Sequence, residues 1–215
     1  MYIPFYDYVR AFRVIKTVLQ SYEGTNAHKA CIPFAVAGMR VLREHYQKEA
    51  TVSLGRAAYV LGSRPDGGLD VLGYGFRSEG EVLTDDPNAF HCWVQVDGWA
   101  IDFMAPLFPE VWRREHGYTA GAPRMFQRRL DEMTHCAEFD RPGDFFLEGR
   151  DQDSSLAILS PYFTRPAYQD MFNTVVQWFR PGSQKMRNSI TLFDQKSNGP
   201  IDLRLDTKLL VQGSW

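Results

Sequence analysis

Cysteine is scarce: Cys31, Cys92 and Cys136 are the only three in 215 residues. So small and odd a set fits neither a disulfide framework nor a paired CxxC zinc pattern, and it favours a reducing compartment or single reactive thiols. A basic surplus is missing as well. Lys and Arg number 24 against 26 Asp and Glu, a net charge of −2, which argues against a nucleic-acid partner because such proteins ordinarily carry positive excess. No run approaches the roughly 18 apolar residues of a membrane span. The opening MYIPFYDYVR also lacks the basic, then apolar, character of a signal peptide. A cytoplasmic protein with no membrane association is the expectation. Gly73–Tyr74–Gly75 has neither the later glycine nor the helix entrance of a dinucleotide fingerprint, and no cofactor is expected.

Core material, by contrast, is abundant. Hydrophobic residues make up 44% of the chain and aromatic residues 14%, too much for general disorder. The length suits one sizeable domain, and with no repeat, low-complexity tract or linker, a single domain over 1–215 is predicted.

Periodicity then assigns elements. Phe5, Val9, Phe12 and Leu19 predict an amphipathic opening helix. A second helix is read from about Cys31 to Gln47, with Phe34, Ala37, Gly38, Val41, Leu42 and His45 on one stripe. Thr51 to Leu61 and Leu69 to Phe76 read as strands, Arg77 to Asn88 as a polar loop, and Phe90 to Met104 as the clearest β segment. Val111 to His116 and Pro123 to Met133 read as short helices, and Phe139 to Ser154 as turn-like. Arg165 to Phe179 is a helix stopped by Pro181–Gly182, and Ile190 to Phe193 and Ile201 to Val211 are further strands. The fold class is α+β.

Within FHCWVQVDGWAIDFM, Asp97–Gly98 is a favoured two-residue hairpin turn, because type I′ geometry needs positive φ at both centres. That turn pairs Val96 with Trp99, Gln95 with Ala100 and Val94 with Ile101. Alternation then gathers Cys92, Val94, Val96, Trp99, Ile101 and Phe103 on one apolar face, and His91, Trp93, Gln95, Ala100, Asp102 and Met104 on the other. His91 and Asp102 become diagonal neighbours about 7–8 Å apart at Cβ, within reach of a hydrogen bond. Two readings stay open: an ordinary polar face meeting solvent, or half of a catalytic array. Cys92, on the apolar face, reads as core.

Pro33 belongs near a helix start, which puts Cys31 at the N-cap or in the first turn. Unpaired N–H groups and the positive helix end stabilise a thiolate there. The same groups can stabilise a substrate oxyanion. The plainer alternative is a small packed hydrophobe. Taken with the hairpin, however, Cys31, His91 and Asp102 are the parts of a thiol triad: nucleophile, general base and then acid, and the group fixing the imidazole tautomer.

In this combination the chain resembles the transglutaminase-like and papain-like cysteine superfamily. NAHKACIPFAVAGMRVLREHY is similar to its Cys-bearing helix, and AFHCWVQVDGWAIDFMAP to its His-Ala-Trp…Gly-Trp…Asp-Pro-Thr region, through His91, Trp93, Gly98, Trp99, Asp102 and, more loosely, Pro106. Cys92 departs from the usual small residue, and Phe103–Met104–Ala105–Pro106 from the usual ending. The likeness covers about residues 25 to 106, a catalytic-like core, with 107–215 as its elaboration. An uncharacterised bacterial family of this superfamily is expected. The resemblance implies a Cys-bearing helix packed on an antiparallel sheet and acyl transfer through a thioester on an amide- or peptide-containing substrate. Hydrolysis is its simplest form; transglutaminase, deamidase or N-acyltransferase chemistry and a non-catalytic binding module are the alternatives. It further implies an oxyanion site from the Cys31 backbone N–H with Asn26, or His28 in competition, and a cleft position for Trp93.

Other clusters are weaker. His28, Cys31, His91, Cys92, His135 and Cys136 include zinc-ligand types, but adjacent strand residues face opposite ways, and no metal site is expected. Arg113, Arg114, Arg124, Arg128 and Arg129 offer an anion site or, more simply, a solvated face beside Glu110, Glu115, Asp131 and Glu132.

Overall fold

The computed structural model describes residues 1–22, 30–79, 82–85, 89–194 and 199–215. Helix α1 (Phe5–Ser21) buries Tyr8, Phe12, Ile15 and Leu19 along its apolar side. Helix α2 (Cys31–Tyr46) starts at Cys31 and stops at Gln47, whose left-handed backbone (φ 53°) ends the helix. The predicted single stripe on α2 is too narrow. Every residue from Ile32 to Met39 is buried, because α2 packs against α1, against the later helix α5 (Pro166–Trp178) and against the sheet.

The sheet is antiparallel and curled. It comprises β1 (Thr51–Ser63), β2 (Leu69–Tyr74), β5 (His91–Val96), β6 (Trp99–Asp102), β7 (Phe126–Arg129) and β8 (Phe145–Gly149). Its organising strand is β1, which takes β5 as partner over Thr51–Gly55, β2 over Ala57–Ser63 and β8 over Gly55–Tyr59. Two hairpins stand apart, β3 (Phe76–Glu79) with β4 (Val82–Asp85), and β9 (Ser189–Asp194) with β10 (Gly199–Arg204).

The Asp97–Gly98 hairpin has the expected register: Val96 pairs with Trp99, Gln95 with Ala100 and Val94 with Ile101. Both turn residues have positive φ, 47° and 77°, as type I′ geometry requires. The expectation of a solvated face is overturned, however, because both faces are covered. On one side Phe103 packs against Gly38 of α2 and stacks on Tyr8 of α1. On the other, Phe108, Tyr59, Phe126 and Phe145 form an aromatic layer with successive ring separations of 4.7, 5.0 and 5.0 Å, closed by α3 (Phe108–His116).

Three local readings give way to tertiary pairing. Arg77 to Asn88 contains β3 and β4. Pro123 to Met133, read as helix, is β7 followed by a 3-10 turn; β7 supplies the partner that β6 needs, with Asp102 opposite Phe126. Phe139 to Ser154, read as turns, contains β8 and the start of α4 (Gln152–Thr164), a helix capped by the Asp151 carboxylate and carrying Pro161 inside it. The basic run is a surface of ion pairs: Arg113 and Arg114 to Glu110, Arg128 to Glu132, Arg129 to Asp131. Among the described residues no helix is long and apolar enough to cross a membrane.

Gly55 has a specific steric reason to be glycine. A Cβ there would overlap the backbone carbonyl of Glu148 on β8, and backbone cannot step aside as a side-chain tip does. Gly55→Ala is expected to cost about 3 kcal/mol, the upper part of the overpacking range, read as a lower urea midpoint. An unchanged midpoint would show that β1 and β8 are not held at this spacing.

Candidate active site

The pairing of β1 assembles the site. Gly55 pairs with His91, the first residue of β5, and Ala57 with Tyr74, the last residue of β2. The two aromatic side chains therefore leave β1's successive partners only two residues apart, and their rings stack at 4.3 Å and 19°. His91 is wholly buried, with Tyr59 and Phe108 edge-on at 5.8 Å.

Asp102, at the end of β6, is 1% exposed and fully engaged. Its Oδ2 accepts the His91 Nε2–H at 2.5 Å and the Tyr59 hydroxyl at 3.0 Å; its Oδ1 accepts the Met104 backbone N–H at 2.9 Å. The Tyr8 hydroxyl donates to the Asp102 backbone carbonyl, tying α1 to the strand end. With Nε2 committed as donor, a neutral imidazole keeps its lone pair on Nδ1. That atom is buried without a hydrogen-bond partner.

Cys31 is the first residue of α2, half-buried, with Ala30 before it offering no capping side chain. Its N–H therefore has no intrahelical acceptor. The thiol is pulled down to about 5, chiefly by the neighbouring Cys92 thiol; burial opposes this, and the neighbouring imidazole of His91 reinforces it. For His91, burial is the largest influence and disfavours charge, but the carboxylate of Asp102 and then the thiol of Cys31 outweigh it, raising the imidazole to about 10. The arrangement favours thiolate beside imidazolium. Cys92 moves the opposite way: burial, then Cys31, pushes its thiol up.

His91 and Asp102 are thus bonded to each other, and Cys31 lies near enough to His91 for each to shift the other's titration. Asn26 and His28 lie outside the described residues. Trp93 does not fit a cleft, since it is wholly buried with β5 covered on both sides. Sequence reasoning missed Tyr59, Tyr74 and the closeness of Cys92 to Cys31. It also missed Tyr162 of α4, whose phenol is raised to about 12 by burial, then by Tyr168 and the two thiols. The strand pattern carried no signal for the partner change on β1 that sets Tyr74 on His91. A cavity of about 320 Å³ lies elsewhere, lined by Met39, Arg43, Phe163 and Val176, and includes none of the three residues.

A family model described as a protein of unknown function, DUF2026, matches residues 4–215. A solved crystal structure of a genomics target is similar at 31% identity and a TM-score of 0.81, covering 99% of this chain and 97% of its own. No curated protein matches the chain.

Proposed function

This chain belongs to the DUF2026 family of proteins of unknown function, and from its buried side-chain array we propose that it is a cysteine-dependent acyl-transfer enzyme of papain-like or transglutaminase-like type. The observation that carries the reading is the 2.5 Å bond from His91 Nε2 to Asp102, which leaves Nδ1 for the thiol at the α2 N-terminus.

The Cys31 thiolate attacks the carbonyl carbon of an amide or peptide substrate. The oxyanion accepts the Cys31 N–H at the positive helix end. His91 gives its Nδ1 proton to the leaving amine, and a thioester forms on Cys31. His91 then takes a proton from water, or from an acceptor amine, as that nucleophile attacks the thioester. Asp102 keeps Nε2 protonated throughout. Water gives hydrolysis and an amine gives transfer. Three free thiols suit a reducing compartment such as the cytoplasm.

The pH dependence tests the reading. As pH falls through about 5 the thiolate is protonated and the nucleophile is lost; as pH rises through about 10 His91 loses the proton it donates. Turnover of an amide substrate is expected to be bell-shaped between those limits. Alkylation by iodoacetamide, which needs only the thiolate, rises near 5 and stays high. At pH 6 the thiolate fraction exceeds that of an ordinary cysteine by about 300-fold. Its lower basicity costs about 30-fold in nucleophilicity, leaving roughly a tenfold faster reaction. A rate for Cys31 that climbs only near 9, or label appearing first on Cys136, rejects the proposal in favour of a binding module.

A further inference from the structure

Away from the reactive array, one cavity gathers charges that the fold leaves unpaired. Arg40, Arg43 and Glu44 of α2 line the cavity of about 320 Å³ that α2 forms with α4 and α5. Its apolar walls are Met39 of α2, Phe163 of α4 and Val176 of α5. The volume suits a small ligand. Arg40 and Glu44 are spaced i, i+4, which permits an ion pair on one helix face. None forms. Arg40 instead gives an Nη1–H to the Asn173 side-chain oxygen at 3.0 Å and an Nη2–H to that of Gln169, with its guanidinium 5.4 Å over the Phe172 ring. Arg43 gives its Nε–H to the Ala50 carbonyl at 2.8 Å. Among the described residues neither guanidinium is bonded to a carboxylate, and the Glu44 carboxylate has no partner. Arg113, Arg114, Arg128 and Arg129, by contrast, each hold one.

We propose that this cavity binds a free α-amino acid with an apolar side chain, its carboxylate on Arg40 and Arg43, its ammonium on Glu44 and its side chain against Met39, Phe163 and Val176. A guanidinium carries five N–H donors, so both arginines keep donors for a carboxylate after bonding their neighbours. A fatty acid or a phosphate would satisfy the arginines but set its negative charge beside Glu44. A zwitterion answers both signs at once, because its two charged groups hang on one carbon. An apolar side chain also covers the exposed ring of Phe163. Arg40 to Glu44 stand about 14–20 Å along α2 from Cys31, at 1.5 Å per residue. The site is therefore separate from the reactive array, and its occupancy does not depend on acyl transfer.

The test is isothermal titration of the intact protein with L-leucine, L-methionine and L-phenylalanine. At least one is expected to bind at one equivalent with a Kd below about 1 mM. For that amino acid, the amide lacks the carboxylate and the N-acetyl derivative lacks the ammonium. Each is expected to bind about tenfold more weakly, the loss of one charged hydrogen-bonded contact. Arg43 and Glu44 are exposed, so Arg43→Gln and Glu44→Gln are expected to fold as wild type does. Arg43→Gln is expected to weaken the amino acid about tenfold and to leave its amide unchanged. Glu44→Gln is expected to abolish discrimination against the N-acetyl derivative, and Cys31→Ala to bind as wild type does. Absence of binding by all three amino acids overturns the proposal. So does an N-acetyl derivative that binds the wild type as tightly as its parent, which marks a plain carboxylate site. Binding that is unchanged in both glutamine variants but lost in Cys31→Ala also overturns it, by placing the ligand in the reactive array.

Discussion

Replacing Cys31 by Ala is expected to abolish acylation by an activated ester such as p-nitrophenyl acetate, and to lower turnover of any amide substrate by at least about 10⁴-fold, since nucleophile removal leaves only binding and oxyanion contributions. The substitution removes one sulfur from a half-buried position at the first residue of α2, where Ala is a good helix former. Circular dichroism and the urea midpoint are therefore expected to stay near wild type. Mass spectrometry distinguishes the outcomes: wild-type protein gains one acetyl group on Cys31 and the variant none. Turnover within tenfold of wild type in the variant removes acyl transfer from consideration. A wild-type protein that takes up no acetyl group, yet retains a partner equally well as Cys31→Ser, identifies a binding module.

Asp102→Asn carries the second large effect. Three donors converge on this carboxylate, the His91 Nε2–H and the Tyr59 hydroxyl on Oδ2 and the Met104 N–H on Oδ1. An amide has a single acceptor oxygen. With that oxygen at the Oδ2 position, the NH₂ faces the Met104 N–H; with the amide turned, it faces His91 and Tyr59. Either way donors oppose donors in a buried site, at a cost of roughly 1–3 kcal/mol in stability. The imidazole also loses the charge that keeps Nε2 protonated, and turnover is expected to fall by about 10⁴-fold, as when a serine triad loses its carboxylate. The signature that separates this from simple destabilisation is the pH profile. The upper limb near 10 depends on Asp102 and is expected to move down, while the onset of alkylation near 5, which the Asp102 charge raises, is expected to stay or fall slightly. An unshifted profile with reduced amplitude assigns Asp102 a structural role only.

How far the sequence foretold this arrangement depends on which forces act locally. Asp97–Gly98 encodes its own turn, and once the turn is set, alternation alone puts His91 and Asp102 on a common face. Pro33 likewise restricts where α2 starts, and with it the place of Cys31. These are short-range constraints. β7 and β8 were misread because their strand character comes from partners far away in the chain: Phe126 opposite Asp102, and Leu147 opposite Ala57. Four-residue and five-residue strands carry too little alternation to outvote local propensity. The same holds for Tyr59 and Tyr74, whose roles follow from the register of β1 and from nothing near them in the chain. Trp93 was misplaced for a related reason. Burial of both faces of β5 depends on the helices on one side and the aromatic layer on the other, and neither is visible in the hairpin itself.

The partner change on β1 has a consequence for how members of this family can diverge. β2 ends and β5 begins side by side on one strand, with Tyr74 and His91 clamped ring to ring. The chain between them, Gly75 to Phe90, departs and returns at fixed points, and its β3–β4 hairpin belongs to a separate sheet. Phe76 ties it to the main sheet, meeting Phe146 of β8 and Arg56 of β1. Loops on a rigid scaffold are where recognition diversifies. Here the anchor points adjoin His91, so exchanging the insert between relatives is expected to alter selectivity in the proposed acyl transfer without removing the His91–Asp102 pair.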